Sequence, residues 1–149
     1  MLKEKAIFRD FLRKKGLKLT QQREDILETF LKTEQHLSTE DLYKVIKKKK
    51  FGIGQATVFR TLKLLTEAGI AKEVYFGDKR VRFEHEYGHQ HHDHLVCQIC
   101  SKLIETVDFE IERLQDDLCK KVQFTPTSHR LQIFGICKQC KKGGKRVKK

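Results

Sequence analysis

The sequence predicts an α+β protein in which an N-terminal winged helix-turn-helix domain is followed by a small α/β dimerisation domain with a four-cysteine zinc site. Three observations lead to this prediction. Four helical patterns precede a β-hairpin pattern, and two Cys-x-x-Cys steps follow a His-rich run. The net charge of +12 over 149 residues is concentrated towards the two ends of the chain.

The first 68 residues contain four amphipathic helical patterns. Apolar residues recur at helical spacing in residues 3–15, and Thr20 and Ser38 are suited to cap the second and third helices. The fourth helix is predicted over residues 55–68, because Gly69 suits the left-handed position that follows a helix.

A hairpin pattern follows the fourth helix, with two β-like runs, residues 71–76 and 81–84, around Gly77-Asp78. Short helices followed by a hairpin are typical of a winged helix-turn-helix, whose last helix enters the DNA major groove. A winged helix that binds protein instead is the alternative. Arg60 is the best candidate to contact guanine, and the wider set of predicted DNA-binding residues is Lys18, Gln55, Thr57, Phe59 and Arg60.

The charge is distributed unevenly. Residues 1–83 carry a net +9, residues 84–137 a net −4 and residues 138–149 a net +7. A basic first part and an acidic, His-bearing second part are typical of nucleic-acid binding combined with cation binding. The Lys-rich tail is interpreted as a solvated, disordered basic surface.

The predicted organisation has four parts. Residues 1–83 form the winged-helix domain, residues 84–91 a hinge and the start of the metal-binding segment, residues 92–140 the dimerisation and metal-binding domain, and residues 141–149 the basic tail. The chain opens with no signal-peptide pattern and has no apolar run of membrane-spanning length, so a cytoplasmic location is expected.

The second part reads as a small α+β unit. Two β-like runs flank the first Cys-x-x-Cys step, residues 109–122 are helical, and residues 128–137 alternate like a strand that ends at Cys137. No second layer is evident to cover these apolar faces. We therefore expect the sheet to complete itself across a homodimer, or within a higher oligomer.

Four of the five cysteines form two Cys-x-x-Cys steps, Cys97/Cys100 and Cys137/Cys140. Two such turns can surround one Zn²⁺ tetrahedrally, and a closed set of four thiolates is structural rather than catalytic. The alternative is a pair of redox dithiols. Cys119 lies in the helical pattern of residues 109–122 and is expected to be buried.

The His-rich run supplies harder ligands. In an extended segment, His92 and His94 point to one face, and His91 and Asp93 point to the other. One strand can therefore serve two metal sites. Partner candidates are His36, Glu84 and Glu105 for the first face, and Glu112 and His129 for the second.

With these motifs in order, the chain resembles the ferric uptake regulator family of metal-dependent bacterial repressors. The resemblance covers roughly residues 16–141. It rests on residues 16–23, Leu42-Tyr43, residues 56–60, residues 68–70, residues 91–97 and the closing Cys137/Cys140 pair. The family implies a dimer that binds double-stranded operator DNA through the winged helix.

The resemblance also implies the metal sites. Structural Zn²⁺ is expected on Cys97, Cys100, Cys137 and Cys140. A regulatory Fe²⁺, replaceable in vitro by Zn²⁺, Mn²⁺ or Co²⁺, is expected on His36, Glu84, His92, His94 and Glu105. An additional site is expected on His91, Asp93, Glu112 and His129. The expected function is an Fe²⁺-responsive repressor of iron-uptake genes.

Three departures from the family pattern bear on the signal that is sensed. Phe59 replaces the tyrosine that usually precedes the recognition-helix arginine. Glu84 and Glu105 stand where peroxide-sensing relatives commonly carry aspartate, which favours an iron response. The segment between Glu84 and the His-rich run is one residue longer than usual.

Other functions remain as alternatives. Within the family, the chain could sense peroxide through iron or manganese, or the availability of zinc, manganese or nickel. No cysteine lies between the wing and His94, which weighs against a zinc-uptake regulator. A metal-buffering protein is the alternative outside gene regulation. An enzyme is not expected, because the chain shows no nucleophile motif and no phosphate-binding glycine loop.

Overall fold

The computed structural model describes residues 1–33, 36–49, 52–78, 80–88 and 92–144. The chain divides into two compact units, Met1–His89 and Gln90–Lys149. The finer domain and hinge boundaries expected from the sequence stay predictions. Within the described residues, no helix combines the length and the apolar character needed to cross a membrane.

The first unit consists of four helices and a hairpin, as the sequence predicts. The helices are α1 (Leu2–Lys14), α2 (Gln21–Leu31), α3 (Thr39–Lys49) and α4 (Gln55–Glu67), and the antiparallel hairpin pairs β1 (Ala71–Tyr75) with β2 (Val81–His85).

Side chains at the helix ends explain where these helices begin and stop. The Thr20 hydroxyl accepts a hydrogen bond from the Arg23 amide, at 3.4 Å, and caps α2. Ser38 caps α3 by accepting from the Asp41 amide at 3.2 Å, while the Asp41 carboxylate accepts from the Ser38 hydroxyl at 2.6 Å. Gly69, with φ +69°, ends α4 in the predicted left-handed conformation. These caps satisfy backbone groups that a helix end otherwise leaves without partners.

The core of the first unit joins all four helices to the hairpin. Its largest fully buried side chains come from each of these elements: Phe8, Leu12, Ile26, Leu27, Phe30, Leu42, Ile46, Val58, Leu62, Leu65, Ile70 and Phe83. Burying a side chain of this size stabilises a fold by about 1.5–3 kcal/mol relative to exposing it. The apolar residues that recur at helical spacing in the sequence therefore pack together in one continuous core.

The second unit is built on a three-stranded sheet. Its elements are β3 (Asp93–Cys97), β4 (Leu103–Thr106), α5 (Phe109–Lys121), β5 (Gln132–Gly135) and α6 (Lys138–Lys142). The strand order is β4-β3-β5, with β3 antiparallel to β4 and parallel to β5. The strand predicted over residues 128–137 is shorter than expected, because β5 can pair only along the five residues of β3. The short helix α6 was not predicted.

Helix α5 forms as predicted, but its apolar stripe is not covered within one chain. No residue of α5, all of which the structure describes, is buried, and Leu114 and Leu118 are 61% and 63% exposed. The expectation that Cys119 is buried is therefore wrong for the single chain, in which it is half-buried. The apolar residues of α5 recur at the helical period, as predicted, but the described residues of this chain supply no layer that covers them.

Candidate metal centres and DNA-binding surface

The four Cys-x-x-Cys cysteines converge in the second unit. Parallel pairing aligns Cys97, at the end of β3, with Gly135, at the end of β5. Cys137 follows Gly135 by two residues, so this pairing brings it next to the first Cys-x-x-Cys turn. The sulfurs of Cys97, Cys100, Cys137 and Cys140 all lie within 4.8 Å of one another, and those of Cys100 and Cys137 are 3.8 Å apart. Sequence spacing alone does not establish such a set, since 36 residues separate Cys100 from Cys137.

The environment of this cluster favours a bound cation. The Cys137 amide donates a hydrogen bond to the Cys97 sulfur at 3.3 Å, and this contact is the main reason that the pKa of Cys97 falls to about 6. Burial raises the pKa of Cys140 to about 12, and hydrogen bonds with the other three cysteines add to the rise. Four thiolates so close together need a cation to balance their charge, so the cluster fits a structural Zn²⁺.

The first unit contributes one pair of the predicted regulatory ligands. Leu37 and Phe83 exchange two backbone hydrogen bonds, of 3.1 and 2.8 Å, which bring their chain neighbours His36 and Glu84 together. His36 Nε2 lies 2.6 Å from Glu84 Oε2. The His36 ring also packs edge-on against Phe76, with 5.2 Å between ring centroids. An imidazole and a carboxylate are therefore held together in the winged-helix unit.

Glu84 has a further partner that the sequence did not single out. Lys72 is its cross-strand partner in the β1–β2 register, and Lys72 Nζ lies 3.1 Å from Glu84 Oε1. The register of the hairpin is the signal that could have identified it, because residues directly opposite each other on an antiparallel pair have neighbouring side chains.

The second unit contributes the other predicted regulatory ligands. The His92 and His94 rings meet edge-on with centroids 5.0 Å apart, and His94 is buried. Glu105 of β4 is the cross-strand partner of His94 and is exposed. These three donors therefore lie around one end of the β3–β4 ladder. Nitrogen and oxygen donors of this kind fit a regulatory Fe²⁺ and also accept Zn²⁺, Mn²⁺ or Co²⁺.

A separate donor set includes the residue between these two histidines. One ligand atom each of Asp93, Glu112 and His129 lies within 4.8 Å of the others, and His129 Nε2 is 3.2 Å from Glu112 Oε1. His91, the fourth expected ligand, lies outside the described residues. That these residues ligate a metal stays a prediction, as it does for the regulatory ligands.

The predicted DNA-contacting residues lie on or near α4. Gln55, Arg60 and Lys18 are exposed, Thr57 is half-buried, and Phe59 is 49% exposed although it is a large aromatic residue. A cleft of about 540 Å³ runs between the start of α2 and α4 and is lined by Thr57, Phe59 and Arg60. An exposed, partly aromatic helix face next to a cleft is suited to dock into the major groove.

The cleft also contains Arg23, a cation that the sequence did not single out, beside Lys63, whose position on the fourth helix the sequence predicts to be exposed or groove-facing. Arg23 and Lys63 line it, and the Arg23 guanidinium donates to the carbonyl oxygen of Lys18. Because Arg23 lies in the first turn of α2, its position beside α4 depends on helix packing, which sequence spacing does not reveal.

The chain is similar to known proteins. Residues 14–134 match the model of the ferric uptake regulator family. The ferric uptake regulation protein of Campylobacter jejuni is 38% identical over 143 residues, which cover 95% of this chain and 90% of that protein.

Two solved structures share the fold. The Vibrio cholerae ferric uptake regulator is 40% identical, with a TM-score of 0.72 over 85% of this chain and 96% of that one. The Helicobacter pylori ferric uptake regulator, described as having three functional metal-binding sites, is 31% identical, with a TM-score of 0.82 over 93% of each chain. The chain therefore belongs to the ferric uptake regulator family and is a metal-dependent transcriptional regulator.

Proposed function

We propose that this chain is an Fe²⁺-responsive repressor that acts as a homodimer on operator DNA of iron-uptake genes, in the cytoplasm. The observation that carries the proposal is the pairing of imidazole with carboxylate in the DNA-binding unit itself, His36 with Glu84 at 2.6 Å. Burying such a pair costs free energy, and its donors suit a divalent cation.

The regulatory ligands proposed are His36 and Glu84 of the first unit with His92, His94 and Glu105 of the second. The family motifs and the donor types support this assignment. Ligands supplied by both units would make the orientation of the winged helix depend on metal occupancy. Metal binding and operator binding would then be thermodynamically coupled, so that each raises the affinity for the other.

DNA recognition is assigned to α4 and its surroundings. Arg60 has the bidentate donors that recognise guanine, and Phe59 offers an apolar ring that suits a thymine methyl group. Thr57 and Gln55 are suited to contact phosphate or base edges, and Lys18 to contact phosphate. The basic charge of residues 1–83 would add a salt-dependent, sequence-independent contribution to the affinity.

Dimerisation is assigned to the apolar surface of the second unit. Phe109, Leu114, Leu118 and Val122 of α5 and its C-terminal end are between 61% and 84% exposed, and Ile133 and Phe134 of β5 are also exposed. An uncovered apolar helix stripe of this kind marks a protein interface, and β5 is an edge strand of its sheet. A second copy of the chain would cover both features.

The choice of iron rests on ligand chemistry and on two glutamates. Glu84 and Glu105 favour an iron response over peroxide sensing, as the departures from the family pattern in the sequence imply. Zn²⁺ and Co²⁺ would bind such donors at least as tightly in purified protein, so selectivity in the cell would follow metal availability.

The test is operator affinity measured anaerobically with and without Fe²⁺. Wild-type protein should bind the operator tightly only with the metal, and the His92→Ala/His94→Ala variant should lose this dependence. His129→Ala, which removes an imidazole from the other donor set, is the matched control and should retain it. Metal-dependent binding by the double variant would refute the proposed site. If no condition gives salt-dependent DNA binding, a metal-buffering role would replace the proposal.

A further inference from the structure

Lys72 places a positive charge beside a proposed metal ligand. It lies opposite Glu84 on the β1–β2 hairpin, with Nζ 3.1 Å from Glu84 Oε1. The Lys72 side chain is 27% exposed, whereas the Glu84 side chain is only 6% exposed. The contact is thus partly shielded from water, where a charge pair interacts more strongly than on an open surface.

The two oxygens of Glu84 contact different groups. Oε1 contacts the Lys72 ammonium, and Oε2 contacts His36 Nε2 at 2.6 Å. Lys72 therefore neutralises the buried Glu84 carboxylate through Oε1. The other oxygen, Oε2, stays directed towards His36, which is also a proposed ligand. A buried carboxylate without a compensating charge would be costly, so the ammonium stabilises the metal-free unit.

We propose that Lys72 is an internal counter-cation that lowers the metal affinity of the regulatory site by competing with the divalent cation for Glu84. The inference rests on the proposed function, in which Glu84 is a regulatory ligand. Lys72 is a positioning and tuning residue, since it contacts the ligand and not the metal.

The two states of the site respond to Lys72 in opposite ways. In the metal-free protein, the ammonium stabilises Glu84. In the metal-loaded protein, the same ammonium lies close to a second, doubly charged cation and is repelled by it. Both effects weaken metal binding, so neutralising Lys72 raises the affinity for metal and also destabilises the metal-free protein. Because Lys72 weakens metal binding, a higher concentration of free metal would be needed to fill the regulatory site.

The experiment compares Lys72→Met with wild type in full-length, zinc-loaded protein. Mn²⁺ is the probe, and free Mn²⁺ is followed by electron paramagnetic resonance. A Glu112→Gln/His129→Asn background removes donors of the other set, so that the regulatory site is titrated alone.

Lys72→Met should lower the Mn²⁺ dissociation constant by about tenfold or more. Its melting temperature without Mn²⁺ should fall, and the rise on adding Mn²⁺ should exceed that of wild type.

Two control variants separate the local effect from a general change in charge. Lys72→Arg keeps the positive charge and should bind Mn²⁺ nearly as wild type does. Lys63→Met removes a lysine whose Nζ lies 2.6 Å from Glu73, a carboxylate outside the proposed sites, and should leave the Mn²⁺ affinity unchanged. Unchanged or weaker Mn²⁺ binding by Lys72→Met, or an effect that Lys63→Met matches, would overturn the inference.

A further variant distinguishes this failure from a failure of the proposed function. Glu84→Gln should weaken Mn²⁺ binding if Glu84 is a ligand. Should Glu84→Gln bind Mn²⁺ like wild type, the assigned ligand set is wrong, and the inference about Lys72 falls with it. Should Glu84→Gln weaken binding while Lys72→Met does not strengthen it, only the inference about Lys72 fails.

Discussion

Arg82 holds Asp78 across the turn of the wing, with Nη1 donating to Asp78 Oδ1 at 2.9 Å and Nη2 contacting the second carboxylate oxygen. The Arg80 amide donates to the same Oδ1 at 3.2 Å. The Arg82 side chain, with the backbone contacts, lowers the pKa of Asp78 from its ordinary 3.8 to about 2. A bidentate arginine–carboxylate pair of this kind fixes Asp78 against Arg82 of β2.

The wing pair leads to a prediction about stability and pH. Asp78→Asn should lower the free energy of unfolding at pH 7 by about 1 kcal/mol, with allowance for partial exposure of the pair. Because the folded pKa lies below the unfolded one, the contribution is complete above about pH 4 and disappears as the pH falls towards about 2. Urea denaturation of both proteins at about pH 7 and about pH 5 should therefore give the same difference in stability.

A double-mutant cycle with Arg82→Met checks that the effect belongs to the pair. The combined variant should lose less stability than the two single variants added together. Strict additivity would show that the contact contributes nothing at neutral pH.

The cysteine cluster leads to a prediction about metal content. Cys100→Ser should abolish stoichiometric zinc binding and destabilise the second unit, since structural zinc sites contribute directly to folding. Elemental analysis and hydrogen exchange across β3, β4 and β5 measure the two effects. Cys119→Ser is the matched control, because Cys119 lies on α5 and outside the cluster; it should retain zinc. Equal zinc content in both variants would contradict the assignment of the site.

The apolar face of α5 leads to a prediction about assembly. Leu118→Glu should raise the dimer dissociation constant by roughly 100-fold, because a charge would be buried in the proposed interface. Sedimentation velocity over a range of protein concentrations measures this constant. Lys120→Glu is the control. The Lys120 side chain lies on the polar side of the same helix and is 77% exposed, so this variant should leave the dimer intact. A Leu118→Glu protein that stays dimeric would place the interface elsewhere.

The recognition helix leads to a prediction about DNA affinity. Arg60→Ala should weaken operator binding about 10- to 100-fold and relax specificity at one base pair, as expected for the loss of a bidentate contact. Fluorescence anisotropy with operator and with scrambled DNA, at two salt concentrations, separates the specific from the electrostatic contribution.

Arg13→Ala is the control for lost positive charge. Its side chain on α1 is 79% exposed and 3.3 Å from Asp10, and Arg13 is not among the residues assigned to DNA contact. It should change operator affinity only slightly, whereas an equal effect from both variants would argue against a base contact by Arg60.

Much of the architecture could be predicted from local sequence. Helical spacing identified α1, α4 and α5 to within a residue or two and the buried faces of α2 and α3, since the residues that must be buried recur at the helical period. Thr20, Ser38 and Gly69 marked helix boundaries, because capping and left-handed conformations have strong residue preferences. The Cys-x-x-Cys steps identified the four thiols that converge in the structure, through chemistry that few other residue patterns provide.

Other features depended on contacts between residues distant in sequence. The pairing of Lys72 with Glu84 follows from the hairpin register, and that of His36 with Glu84 from the Leu37–Phe83 bridge. The exposure of Leu114 and Leu118 agrees with the expectation that no second layer covers the apolar faces of the second unit, but helical spacing could not show that Cys119 is only half-buried. The sequence by itself determined the elements and the types of metal donor, which depend on local propensity and ligand chemistry. Only the tertiary structure decided which charges meet and how far each side chain is buried, because both depend on packing between distant segments.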